Sequence, residues 1–209
     1  MPEYKLYYFG VYARGEAARM LLAHSKADYE FVSFGMEDWP KYKPEMAGGV
    51  VPCLELADGQ KLGQSAAICR FLAMKLGYYP ADPLEAYQND MIVDTYMDVI
   101  SKIYLPAFCP PDKREENITL IFEQVLPKFL KFIEPIAAKG TKFITGDKLA
   151  LADFWVGGLY VNYFVNKAVG YAPEKFAELI KEYPAFEAYG KRFEAEMSEY
   201  LAQRPPAPV

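Results

Sequence analysis

The residue whose position first suggests chemistry is Tyr8. In the aromatic-rich run Tyr4–Phe9, strand alternation puts Leu6 and Tyr8 on one face and Tyr7 on the other. Tyr8 could then present a hydroxyl donor at the end of a strand, although in a chain with 17 tyrosines the commoner role is packing. Arg14 and Arg19 flank Glu16 on the segment that follows. Alone, such charges read as a surface ion pair. The Val51-Pro52 step stands where a strand begins, after Gly48-Gly49. It reads either as a proline at a strand end or as a cis peptide. The cis form would turn the Val51 N–H and C=O outward, toward the backbone of a peptide ligand. Gln64-Ser65 opens a helical pattern. Ser65 would either cap that helix with its hydroxyl or help hold an anion at the positive helix end.

Other chemistries find little support. His24 is the single histidine and reads as a helix-surface or partly buried side chain rather than a metal ligand. Cys53, Cys69 and Cys109 are widely spaced, without a C-x-x-C redox or zinc motif. The formal net charge of −5 argues against a nucleic-acid partner, which needs a basic face. The N-terminal MPEYKLYYFG lacks the apolar core of a signal peptide. The most apolar stretch, Leu149–Tyr171, contains Asp153, Asn162, Asn166 and Lys167, and is expected to be a buried helix rather than a membrane span. A cytoplasmic protein with reduced thiols and no membrane partner is the expectation.

These residues need elements to position them. With 209 residues, 52% hydrophobic and 24% charged, the chain is long enough for one large or two small domains. Strands are expected at Tyr4–Phe9, Tyr29–Phe34, Val50–Leu56 and from Lys61-Leu62, with Asp58-Gly59 as a hairpin signal. Helices are expected at Arg14–Ser25, from apolar Ala17, Ala18, Leu21 and Leu22, and at Ser65–Leu76. The order β-α-β then β-β-α suggests a small α/β domain. Tyr78–Pro83, with two prolines and no helical period, reads as a linker. After it the pattern is helical almost throughout: Leu84–Tyr104, Lys113–Lys139, Leu149–Ala168, Pro173–Lys181 and Pro184–Gln203.

Taken together, these motifs resemble a known family. Tyr8-Phe9, Arg14-Gly15-Glu16-Ala17-Ala18-Arg19, Asp38-Trp39, Lys43, Val51-Pro52 with Leu54-Glu55, and Gln64-Ser65 with Ile68 and Phe71-Leu72 follow the order and spacing of cytosolic glutathione transferases. Gly146-Asp147, Ala152-Asp153-Phe154, Pro184, Phe186 and Tyr189 extend the resemblance through the helical half. The tyrosine start and the Asp-Trp pair are most similar to the sigma class, which includes general transferases, prostaglandin D synthases and cephalopod lens crystallins.

The resemblance implies the glutathione transferase fold, α/β plus all-α. A thioredoxin-like domain over residues 1–79 would be followed by an all-helical domain over 84–209, in a homodimer. It implies that Tyr8 holds the glutathione sulfur as a thiolate, with Arg14 supporting it. Trp39 and Lys43 would hold the glycine end, Val51 would pair with the cysteinyl backbone, Gln64 and Ser65 would hold the γ-glutamyl carboxylate, and Gly49, Val50 and Pro52 would also contribute to the glutathione site. Asp98, with Asp94 and Asp90 one and two helical steps before it, would reach the γ-glutamyl amine across the dimer. Phe9, Ala13, Met97, Ile100, Tyr104 and Leu105 would wall an electrophile pocket between the domains. The reaction is conjugation to hydrophobic electrophiles, with a prostaglandin D synthase-type isomerase or a crystallin-like structural relative as alternatives. No metal is required, and Met97 stands where some sigma members carry an acid beside Asp98. A second departure is Ala150, where the family usually has Ser or Thr opening the buried helix. That loses half of a capping box, at about 1 kcal/mol.

Overall fold

The structure is a computed structural model that describes residues 2–207. It divides into two compact units, one running to Tyr79 and one starting at Pro80.

The first unit is built on a four-stranded sheet in the order β2-β1-β3-β4. Strand β1 (Tyr4–Phe9) pairs parallel with β2 (Tyr29–Phe34) and antiparallel with β3 (Cys53–Leu56), which pairs antiparallel with β4 (Lys61–Leu62). The parallel pair requires a crossover, supplied by helix α1 (Glu16–His24). The alternation expected for β1 is present: Tyr4, Leu6 and Tyr8 are buried, while Lys5, Tyr7 and Phe9 are half-buried. Helix α3 (Ser65–Leu76) ends at Gly77 in the left-handed conformation. On the Tyr7 and Phe9 face lies a short helix that the pattern did not predict, α2 (Trp39–Tyr42). Aromatic contacts hold it: Phe34 stacks on Tyr42 at 4.1 Å between ring centroids, and Phe9 meets Trp39 edge-on at 5.8 Å. Strand β3 is shorter than the Val50–Leu56 expected, because Pro52 has no N–H for the ladder.

The second unit is all-helical. Asp82 caps α4 (Pro83–Ile103), its carboxylate accepting from the amides of Leu84 at 2.9 Å and Glu85 at 3.0 Å, with Pro83 in the first turn. A one-turn helix α5 (Leu105–Phe108) follows. The expected helix over 113–139 is α6 (Arg114–Leu120) and α7 (Leu126–Lys139) joined by a π turn, Ile121–Val125. Pro127 accounts for the turn: it lacks an N–H, and its ring would meet the carbonyl four residues back in a regular helix. Helix α8 (Leu151–Leu159) is buried along its whole length. It closes in a second π turn, Tyr160–Phe164, short of the Ala168 expected. There the Asn166 side chain accepts from the Ala168 amide at 2.9 Å, a local turn that competes with helix. Helices α9 (Pro173–Leu179), α10 (Pro184–Glu196) and α11 (Ser198–Gln203) complete the unit, the last two separated by a break at Met197 that the periodicity does not signal.

No helix among the described residues is long and apolar enough to cross a membrane.

Candidate active site

Tyr8 is 5% exposed and its ring lies against Gly15, the residue at which the loop enters α1. The Arg14 backbone N–H donates to the Tyr8 hydroxyl oxygen at 3.1 Å. An N–H donated to a phenol oxygen polarises the phenol O–H and makes it the better donor. Gly15 permits the contact: a Cβ there would sit 2.5 Å from Tyr8 Cδ1. Arg14 thus meets Tyr8 through its main chain, a link that no side-chain pattern in the sequence reveals.

The neighbouring tyrosines are committed elsewhere. Tyr7 donates to Glu55 at 3.0 Å on the opposite face, and burial, then Glu55, pushes its pKa up to about 12. Tyr12 is buried beneath the Arg19 guanidinium, 5.6 Å from its ring centroid. Arg19 and Glu16 correct the expectation of a surface pair. They are 5% and 1% exposed and form an ion pair at 2.5 Å.

A second cluster surrounds the start of α3. Gln64 precedes the helix at φ 70° and ψ 109°, a left-handed region costly to a residue with a side chain. The capping expected of the Ser65 hydroxyl is absent: the N-cap is Gln64, and no side chain caps the helix. Among the described residues, the amides of Ser65, Ala66 and Ala67 have no intramolecular acceptor, and the first helical bond runs from the Ile68 amide to Gln64. Three free N–H groups and the positive end of a 12-residue helix make a seat for an anion.

The loop before β3 lies against this helix start. A Cβ at Gly63 would come within 2.9 Å of the Ala47 carbonyl, so the close approach depends on glycine. Val51-Pro52 is a cis peptide. Neither backbone group of Val51 has a hydrogen-bond partner among the described residues. Val50 is 39% exposed. Burial pushes the Cys53 thiol pKa up, and the nearby Ala47 backbone opposes that shift. The Lys43 stem runs beside Gly49, where a Cβ would meet Lys43 Cε at 3.7 Å, and the ammonium end is exposed. Trp39 is half-buried, its ring parallel to Phe34 at 6.1 Å. Gly49, Val50, Val51, Pro52, Gln64 and Ser65 are therefore brought together, with Lys43 at their edge.

Phe9 lines an open cleft of about 500 Å³ with Gly10, Val11, Ser33, Phe34 and Met36. It lies outside the carboxyl ends of the two parallel strands, the usual crevice for ligands in an open α/β sheet. Met36, 62% exposed, was not singled out by the sequence. It sits in a loop without periodicity, so no pattern marks it. Ala13 is half-buried in the loop after β1.

In the helical unit, Met97, Tyr104 and Leu105 are half-buried at the end of α4 and the start of α5. Ile100 is 1% exposed, which fits packing better than a pocket wall. Asp98 is exposed on α4. No group of three or more potential metal ligands occurs among the described residues.

Two family models match the chain. One is the glutathione S-transferase N-terminal domain, over residues 2–74, and the other the glutathione S-transferase C-terminal domain, over residues 97–204. A glutathione S-transferase of Anopheles gambiae is 33% identical over 210 residues, covering 98% of each chain. The hematopoietic prostaglandin D synthase of Gallus gallus is 32% identical over 207 residues, again with 98% of each covered. A monomeric glutathione S-transferase of the hookworm Necator americanus superposes with a TM-score of 0.84 at 27% identity, covering 97% of this chain and 98% of that one. With a tyrosine hydroxyl held by a loop amide, an anion seat at α3 and both domain models matched, the chain belongs to the glutathione S-transferase family.

Proposed function

We propose that this glutathione transferase binds glutathione along the first unit and holds its sulfur as a thiolate with the Tyr8 hydroxyl, for attack on small hydrophobic electrophiles. The observation that carries the reading is the Arg14 N–H to Tyr8 O bond at 3.1 Å, which polarises the phenol and strengthens it as a donor to the sulfur. The γ-glutamyl carboxylate belongs on the free amides of Ser65, Ala66 and Ala67, where charge-assisted bonds and the helix end favour an anion. Val51, with both main-chain groups unpaired, suits the cysteinyl backbone, and exposed Lys43 with Trp39 suits the glycine carboxylate.

Energetics allow this without a metal. A free thiol titrates near pH 8.5, so little thiolate exists at neutrality. Lowering that by about two units needs about 2.7 kcal/mol. One or two hydrogen bonds to the charged sulfur, each about 1.5–3 kcal/mol, are enough. Tyr8 supplies one, and the Arg14 amide strengthens it by polarising the phenol.

The open cleft beside Phe9 and Met36, of mixed polar and apolar lining, offers a surface for the electrophile. Met97, Tyr104 and Leu105 are further candidates in the helical unit. A prostaglandin D synthase-type isomerisation would use the same thiolate, and the likeness to the Gallus gallus enzyme favours keeping it as the second reading. We further infer a role in detoxification, a cytoplasmic location suited to three unpaired cysteines, and a homodimer.

The test is Tyr8→Phe. The variant should fold and bind glutathione with nearly unchanged affinity, while turnover falls by roughly one to three orders of magnitude. If Tyr8→Phe keeps full activity while Tyr7→Phe loses it, the catalytic assignment is wrong.

A further inference from the structure

Arg19 is buried where a charge is expensive. Its guanidinium does two things at once. Nη2 pairs with the Glu16 carboxylate at 2.5 Å and donates to the Val11 carbonyl at 2.6 Å. The cation also lies 4.6 Å from the centre of the Phe31 ring on β2. Val11 belongs to the loop between Phe9 and Glu16, the loop that delivers the Arg14 amide to Tyr8. That loop's own main-chain bonds are short-range: Val11 N–H to Phe9 at 2.8 Å and Glu16 N–H to Ala13 at 3.1 Å. Neither fixes the distance from loop to helix. Arg19 Nη2 does, by gripping the loop at Val11 from α1, with the Glu16 carboxylate against the same nitrogen.

We propose that the buried Glu16–Arg19 pair is a positioning device for the Tyr8 hydroxyl, acting through the Val11 carbonyl and the Arg14 amide. A buried ion pair is seldom worth much as stability, because desolvation of both charges offsets their attraction. Its benefit here is geometric. The pair sets the register of a six-residue loop whose far end must place one N–H on one phenol oxygen. The inference rests on the reading of Tyr8 as the thiolate's donor.

The experiment uses two variants of the full chain. Glu16→Gln with Arg19→Met removes both charges together, so that no buried charge is left unpaired. Arg19→Lys keeps the charge but replaces the planar fork with a point donor. Four readouts are taken: thermal melting, glutathione affinity by calorimetry, turnover, and titration of the bound thiol by thiolate ultraviolet absorbance. In the double variant the titration midpoint should rise by about one pH unit and turnover should fall about tenfold or more, with glutathione affinity changed less than about threefold. Arg19→Lys should shift the midpoint in the same direction by a smaller amount. In a Tyr8→Phe background neither variant should add a further shift, since the pair acts through Tyr8. Unchanged midpoint and turnover in folded Arg19→Lys would overturn the proposal even if the double variant fails to fold. So would an equal shift in the Tyr8→Phe background. Failure of the Tyr8 reading itself looks different: the unsubstituted protein would show no bound thiolate near neutrality, or Tyr8→Phe would leave the midpoint unmoved.

Discussion

At the residue scale, the site is a set of main-chain groups held in place by side chains. Tyr8 receives the Arg14 amide, Val51 has both backbone groups unpaired, and three amides at the start of α3 lack acceptors. Side chains add charge at the ends, and this gives a directional forecast. Ser65 and Lys43 should serve opposite ends of the same peptide. Ser65→Ala should weaken glutathione and γ-glutamylcysteine alike, through loss of one bond to a carboxylate worth about 1.5–3 kcal/mol. Lys43→Ala should weaken glutathione but spare γ-glutamylcysteine, which has no glycine carboxylate. Calorimetry of both ligands against both variants decides it. Loss of γ-glutamylcysteine binding in Lys43→Ala with none in Ser65→Ala would mean the peptide runs the other way, and equal loss in both would mean that neither end is assigned correctly. Strand period separates Tyr8 from Tyr7 and puts it on the buried face, as observed, while the catalytic role proposed for it came from the resemblance alone. Gly15, Gly63 and the Glu16–Arg19 pair were not legible in the sequence, because their roles are close approaches across a fold, and a linear pattern carries only spacing.

At the element scale, periodicity served well wherever one face is buried and poorly where a local bond interrupts it. Helix α3 begins and ends at the residues expected, since Ser65 to Leu76 keeps one apolar period and Gly77 stops it. The π turns and α2 escaped, set by proline, by an asparagine side chain or by aromatic contacts from another element, and so did the break at Met197. The start of α8 shows what an element needs beyond period. Ala150 offers no side-chain cap, so only the Asp153 half of a capping box exists, its carboxylate accepting from the Ala150 amide at 2.9 Å. The same carboxylate accepts from the Ile144 amide and the Tyr189 hydroxyl, both at 2.9 Å. Burial outweighs these three donors and raises the Asp153 pKa to about 6. In the unfolded chain it is about 3.9. Between those values the folded chain holds a proton that the unfolded chain has lost, so this group's contribution to stability falls as pH rises from about 4 to about 6. Urea unfolding at several pH values, comparing the protein with Asp153→Asn, should show their stability difference declining by about 2–3 kcal/mol across that window, then levelling off. A difference that grows with pH would mean that the three donors prevail over desolvation.

At the scale of the whole molecule, the question is what covers α4. Leu84, Tyr87, Met91, Asp94 and Asp98 follow one another at steps of three and four, which puts them on one face. That face starts apolar and ends acidic. Leu84 and Tyr87 are 64% and 61% exposed, large apolar side chains that solvated surfaces rarely place together. In the first unit, Met74 of α3 is also 59% exposed. The proposed homodimer would cover this face, since a two-fold axis doubles every such contact. Membership of the family does not decide the matter, since the hookworm relative is described as monomeric. The expected result is a dimer in sedimentation. Leu84→Glu with Tyr87→Glu should convert it to a monomer that still melts cooperatively, because both side chains lie outside the core. If Asp98 serves the glutathione site of the other copy, the monomer should bind glutathione severalfold more weakly. Asp98→Asn alone should give the same loss while leaving the dimer intact. Combining the two should add nothing further, because a monomer has already lost the partner's Asp98. An unsubstituted protein that sediments as a monomer and turns over at full rate would remove both claims. A monomeric variant that binds glutathione undiminished would keep the dimer but return Asp98 to the solvent.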